Sequence, residues 1–507
     1  MIGRSALTRG ARLALRRQDC ASLAQRRGYA AAAASNETAS YESADINGIK
    51  VASRDPRGPT ARVAVVAKAG TRYQPLPGLS VGLEEFAFKN TDRRSALRIT
   101  RESELLGGQL TAYHTREALV VEAAFLRDDL PYFTELLGEV ITKTRYTTHE
   151  FQEEIERIVH LKQGKLTNDA LGQALDNAHS VAFHKGLGFS IYPSPSTTLG
   201  PYLNENSIAA FAETVYTKPN IAIVADGASQ ASLSKWIEPF FRDVPASPSA
   251  SSPLQLFSEA TKYYGGEQRT SLAGSNALVL AFPGHNLHSD KADIAVLTAL
   301  LGGQSSIKWS PGFSLLSKAS AAAPGSTIVA KNLAYTDAGL LTIQITGSSG
   351  AVRKGAEEAV KALKSIAESG VTKEVLSKAI AKAKFDLLSQ NELTGTGIVS
   401  AGNSLIHGGK IFQVAEALKG YEAVTAEKVK AAAKALLDGK ATVAAAGDLY
   451  VLPYAEEIGL KLAVRLSCFV ADLGIAVTTF HPKKPVHSQP HKQSAKMTFA
   501  WKAAGLR

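Results

Sequence analysis

The sequence predicts an α+β protein built from two related domains, each a sheet with helices packed against it. Three observations in its 507 residues carry that expectation. A breaker-rich segment, PASPSASSP at 245–253, divides the body into sides of about 200 residues each. The order of patterns is similar on both sides: short apolar strand, helix, glycine stop, strand, helix. The pentapeptide LLGGQ occurs at 105–109 and again at 300–304, each time where a helix would end on glycine.

Taken in order, residues 1–29 read as a mitochondrial presequence. The formal charge is +11, and this head holds +6 of it: seven arginines (Arg4, Arg9, Arg12, Arg16, Arg17, Arg26, Arg27), no lysine, and one acid, Asp19. As a helix it would set Arg9, Arg12 and Arg16 on one face and Leu7, Ala11, Ala14 and Leu15 on another, which suits an anionic membrane surface. The run RRGYA at 26–30 places an arginine two residues before the bond between Tyr29 and Ala30, where cleavage is expected. The remaining +5 is too modest to indicate nucleic acid.

The first domain is expected over 40–244, a linker over 245–262 and the second domain over 263–462. ARVAVVAKAG (61–70) and NALVLAFPG (276–284) read as opening strands. EALVVEAAF (117–125) and GLLTIQIT (339–346) follow as further strands. Over 352–366, Val352, Ala356, Ala359, Val360, Leu363 and Ile366 share one helical face. The repeated order of elements argues for duplication better than the five letters of LLGGQ, because glycine-capped helices recur by chance.

Residues 463–507 fit neither half and form an atypical tail. Its histidines, His481, His487 and His491, are irregularly spaced and read as solvated. One hypothesis is that the tail arises from a misread gene; a peptide from 463–507 in a digest of the native protein refutes it. The two cysteines, Cys20 and Cys468, both lie outside the body. That excludes an internal disulfide, a thiolate zinc site and a cluster held by cysteines of the body. No run of about 18 apolar residues occurs, so no transmembrane helix is expected.

The chemistry turns on GLSVGLEEFAFKNT (78–91). Positions 81, 84 and 85 share one helical face, as i, i+3 and i+4 neighbours do. In inverted zinc peptidases those positions carry H-x-x-E-H: two histidines bind zinc and the glutamate activates water. Here they are Val81, Glu84 and Glu85. The stretch resembles the pattern G-L-A-H-x-L-E-H-x-x-F-K-G-T, and LLGGQLTAYHTREALVVEAAF (105–125) resembles the segment that carries G-G-x-x-x-A-x-x-x-R-E. IERIVHLKQGKL (155–166) resembles the region of the third ligand, a glutamate, whose equivalent is Leu161 or Gln163 depending on one gap.

Over roughly 40–462 the chain thus resembles the mitochondrial processing peptidase family of pitrilysin-type metallopeptidases. The resemblance implies paired halves of common fold joined by a linker. It implies no activity here, because valine cannot bind zinc and adjacent carboxylates are a poor substitute site. No metal, cofactor or catalytic residue is therefore expected; without an acidified water, Glu84 has nothing to deprotonate. His114, His160, His179, His184, His285 and His288 form no i, i+4 pair beside a glutamate, and each reads as a surface or satisfied polar residue. Glu84 and Glu85 also fit a solvated face near a first helical turn.

The loop after Gly302-Gly303 lacks the long glycine-rich insertion of the regulatory, presequence-binding alpha subunit of that family. KWSPGFSLLSK (308–318) and AYTDAGL (334–340) instead look like the fungal, ligand-poor members found in the ubiquinol–cytochrome c reductase complex. That likeness implies a non-catalytic architectural subunit on the matrix side of the inner membrane. Its implied partners are core protein 1 and the cytochrome b-containing subunits. Tyr335, Asp337, Gly339 and Leu340 match an element shared across the family, and Tyr335 is expected to pack or cap a strand. The regulatory subunit is the second reading and an active zinc metalloendopeptidase the third.

Overall fold

The computed structural model describes residues 40–462, except 195–196, 198, 249–253, 288–291, 304–311, 313, 393, 410 and 412. The expected presequence with its Tyr29–Ala30 cleavage point, the 463–507 tail and most of the loop after Gly303 lie outside the described residues. No helix among the described residues is long and apolar enough to cross a membrane.

Two mixed sheets form the scaffold. The first contains β1 (Glu42–Ile46), β2 (Ile49–Arg54), β3 (Thr60–Ala67), β4 (Gln109–His114), β5 (Leu119–Leu126) and β6 (Ile221–Asp226), in the order β1-β2-β6-β3-β5-β4. The second contains β7 (Gly266–Ser271), β8 (Asn276–Gly284), β9 (Ser326–Ala334), β10 (Gly339–Gly347) and β11 (Thr442–Gly447), in the order β7-β11-β8-β10-β9. Setting β1 aside, the two orders are the same. The parallel pairs correspond as well: β2 with β6, and β7 with β11, all other neighbours being antiparallel. β1 is added by a two-residue turn whose Asn47 and Gly48 both have positive φ, 54° and 84°, as a tight hairpin requires.

The repeated grammar of the sequence is therefore one topology used twice. LLGGQ is not its marker. At 105–109 it follows the helix Ala96–Leu105, with Gly107 at φ 69° leading into β4. At 300–304 it ends the helix Asp293–Leu301, with Gly302 at φ 65°, and a further helix, Leu315–Ala322, comes before β9. Two helix ends found the same glycine solution at different places.

The central strands of each sheet are buried on both faces, which is why VAVVA and ALVLAF are continuous apolar runs rather than alternating ones. On the inner face of the first sheet, Val63, Val65, Val121 and Ile223 meet Phe133, Leu136 and Phe211 from helices of the same half. Leu278, Leu280, Ile343 and Val443 do the same in the second half, against Val352, Leu363, Val429 and the Asp293–Leu301 helix. The outer faces are covered by exchange. Helix Ala170–Phe183, encoded in the first half, lays Ala170, Ala174, Ala178 and Ala182 on Ala277, Val279, Ala281 and Ala444 of the second sheet. Helix Thr394–Gly408, encoded in the second half, lays Ile398, Ala401 and Leu405 on Ala64, Val66, Val120 and Val224 of the first. The approach is close: a Cβ on Gly402 would sit 2.4 Å from a methyl of Val66. Chain order assigned these two helices to their own halves; packing assigns them to the opposite ones.

The linker joins both halves. Leu254 and Leu256 pack on the first core, the Phe257 amide donates to the Tyr73 carbonyl at 3.0 Å, and the Thr261 amide donates to Asp337 at 3.0 Å.

Candidate functional site

The motif helix is short, Leu79–Phe86, and starts from Gly78 in the left-handed region at φ 88°. Val81 is 1% exposed and belongs to the first core. Glu84 and Glu85 lie in the last turn, not the first, and are mostly buried rather than solvated. Their surroundings explain this. Lys162, on helix Glu156–Asn168, places its ammonium 2.6 Å from Glu84 Oε1 and also against Glu85 Oε1. His114, the last residue of β4, contacts the other oxygen of Glu84 through Nδ1. Its Nε2–H donates to the Ile191 carbonyl at 3.0 Å. The His114 side chain is fully buried, and Tyr192 closes the corner, edge-on to His114 and beneath the Lys162 ammonium.

The electrostatics follow from this packing. Burial by itself would raise the Glu84 carboxyl, but the hydrogen bonds and charges of His114 and Lys162 outweigh it and hold Glu84 below the usual carboxylate range. Lys162 is the reverse case. Burial would lower it, and its bonds to Glu84 and Glu85 hold it above the usual lysine range.

Leu161 and Gln163, the expected equivalents of the third ligand, do not face this corner. Leu161 is 59% exposed, and the Gln163 side chain bonds to His160 and to the Ser194 carbonyl. The residue between them points in, and it is a cation. Sequence reasoning missed Lys162 because it sought a ligand; the available signal was charge, a lysine in the third-ligand region opposite two adjacent acids. Zinc does not fit this donor set. Val81 offers hydrocarbon, and an ammonium that donates to two carboxylates has no lone pair to give.

A second constellation joins the halves. Arg72 donates to Glu117 at 2.7 Å and grips Asp337 of the second half with both terminal nitrogens, at 2.7 and 2.5 Å. Thr336 adds its hydroxyl and amide to Glu117, at 2.6 and 3.2 Å. Arg116 reaches Asp176 at 2.6 Å and the Leu187 carbonyl at 3.0 Å. The R-E pair of the first half and the Y-x-D element of the second, read separately in the sequence, are thus one junction. Tyr335 packs edge-on against His179 and donates to its Nε2 at 2.8 Å, while His179 Nδ1–H donates to the Leu175 carbonyl. Burial, reinforced by the Arg116 charge, pushes His179 well below the usual histidine range, in keeping with one nitrogen donating and the other accepting. Burial likewise pushes the Tyr335 phenol up to about 12.

Fold and site together define a peptidase-like scaffold whose motif helix carries Val81, Glu84 and Glu85. Comparison with known sequences gives the same class. Residues 50–192 match the family described as Insulinase (Peptidase family M16), and residues 202–383 match Peptidase M16 inactive domain. The chain is 65% identical to the mitochondrial cytochrome b-c1 complex subunit 2 of Neurospora crassa, over 91% of this chain and 100% of that protein. It is 36% identical to the subunit 2 of Schizosaccharomyces pombe, over 83% of this chain and 95% of that protein. The mitochondrial-processing peptidase subunit alpha of Solanum tuberosum is more distant, at 27% over 82% of this chain and 83% of that protein. The chain belongs to the family of mitochondrial cytochrome b-c1 complex subunit 2 proteins.

Proposed function

We propose that this chain is a non-catalytic structural core subunit of the mitochondrial ubiquinol–cytochrome c reductase complex, respiratory complex III. The observation that carries the reading is the 65% identity that spans the full length of a subunit 2 of that complex. The degenerate corner supports the non-catalytic part. With valine at position 81, glutamate at 85 and the Lys162 ammonium between the carboxylates, no ligand set presents a metal-bound water to Glu84. The chain is imported by its presequence, cut between Tyr29 and Ala30, and seated on the matrix side of the inner membrane. There it pairs with core protein 1 and supports the cytochrome b-containing subunits. Its contribution is shape and assembly; electron transfer belongs to other subunits.

Native electrophoresis of mitochondria in mild detergent tests the assignment. Co-migration of the chain with cytochrome b is expected. A soluble heterodimer with a zinc peptidase subunit, free of cytochrome b, overturns it in favour of the regulatory subunit. For the non-catalytic part, Glu84→Gln is expected to leave presequence peptide hydrolysis by mitochondrial extracts unchanged, and a loss of hydrolysis overturns it.

A further inference from the structure

In catalytic relatives of this fold one metal ion ties the motif helix to the helix carrying the third ligand. In this chain the same two helices, Leu79–Phe86 and Glu156–Asn168, are tied by a side chain. The Lys162 ammonium lies against one oxygen of Glu84 and one of Glu85, and the second Glu84 oxygen is taken by His114. The four side chains are 20% exposed or less, so the attraction is little screened by water. Placed side by side without a counter-ion, two such carboxylates repel each other in a poorly solvated corner.

We infer that Lys162 is an internal replacement for the lost metal. Its ammonium cross-links the two helices. The charges account for the reciprocal changes in the motif. Where relatives present histidines and a glutamate to a dication, this chain presents two glutamates to a lysine ammonium, so a cation still bridges the two helices. Removing the ammonium leaves Glu84 and Glu85 without the cation that lies against both.

The test uses the full mature chain purified with its native assembly, treated with chelator and then with zinc chloride alone. Zinc per chain is counted after desalting, and the unfolding midpoint is recorded with and without the ion. Wild type and Lys162→Arg are expected to retain no zinc beyond background and to show a midpoint indifferent to it. Lys162→Ala is expected to unfold several degrees lower with or without zinc, because the two carboxylates lose their counter-ion. If Lys162→Ala does not accumulate, the variant Lys162→Met, Glu84→Gln, Glu85→Gln decides. With both signs of charge removed it is expected to fold and to ignore zinc. Stoichiometric zinc in wild type that Glu85→Gln abolishes overturns the inference. So does a Lys162→Ala chain that keeps the wild-type midpoint, or a charge-free variant that fails as Lys162→Ala does.

Discussion

Helix Leu79–Phe86 is the first helix after β3, and helix Asp293–Leu301 is the first after β8, its counterpart in the second sheet. Each packs into the core of its own half. The second is hydrocarbon on nearly every side: Ile294, Val296, Leu297, Leu300 and Leu301 are all buried. The first buries Leu79, Val81, Leu83 and Phe86, yet keeps two glutamates, a lysine and a histidine in one corner. The same topology holds with the charged corner and without it. The charges are therefore not a requirement of the fold; they are paired with one another rather than replaced by apolar packing.

The largest effect is expected where neither half can compensate alone. Arg72→Ala leaves Glu117, which is 4% exposed, without its guanidinium and releases Asp337. A cost of about 3–5 kcal/mol is expected in denaturant unfolding, the range for stranding a buried charge. A cost below that of core substitutions within either half would break the view of the junction as shared. Next come the exchanged helices. Gly402→Leu drives a side chain into Val66, and Ala178→Leu does the same to the second sheet. Each is expected to cost at least about 1–3 kcal/mol by overpacking. Comparable losses sharpen the equivalence of the two exchanges, and a large difference breaks it.

A smaller, pH-dependent effect belongs to the first exchanged helix. Folded His179 is neutral because burial and Arg116 depress it, whereas in the unfolded chain it titrates near 6.5. A depressed group stabilises fully above its unfolded value and loses that contribution as the pH falls, since the unfolded chain then binds a proton that the folded one refuses. Denaturation midpoints are expected to fall below about pH 6.5, and His179→Gln is expected to flatten that fall. Glu84 acts further down: its stabilising effect is complete above its ordinary 4.5 and lost as pH falls below it. The smallest effect is the control. Arg98 and Glu102 pair at 2.6 Å on an exposed helix face, and Arg98→Ala is expected to cost no more than about 0.5 kcal/mol.

Much of this architecture was legible in local pattern. β8 spans 276–284 as expected, β10 runs from 339 as expected, and the buried face of helix Ser349–Ser369 contains the six residues that periodicity selects. The duplication was legible in the order of elements. The helix exchange was not, because an alanine stripe at i, i+4 says that something is close without saying which sheet. Nor was the role of Lys162, which depends on two acids brought against it from another helix. His114 reads in the sequence as a surface or satisfied polar residue, and its partner, 30 residues earlier, is apparent only once β4 is laid beside the motif helix.

The exchange of helices also bears on how the molecule is made. A chain delivered from its amino end completes β6 at Asp226 long before Ile398, Ala401 and Leu405 arrive. Until they do, Ala64, Val66, Val120 and Val224 form an uncovered apolar face of the kind that invites aggregation. Meanwhile the Ala170–Phe183 helix waits for a sheet not yet synthesised. Each half thus lends the other its cover, and a break in the 245–262 linker before folding would leave two fragments that bury these faces only by finding each other.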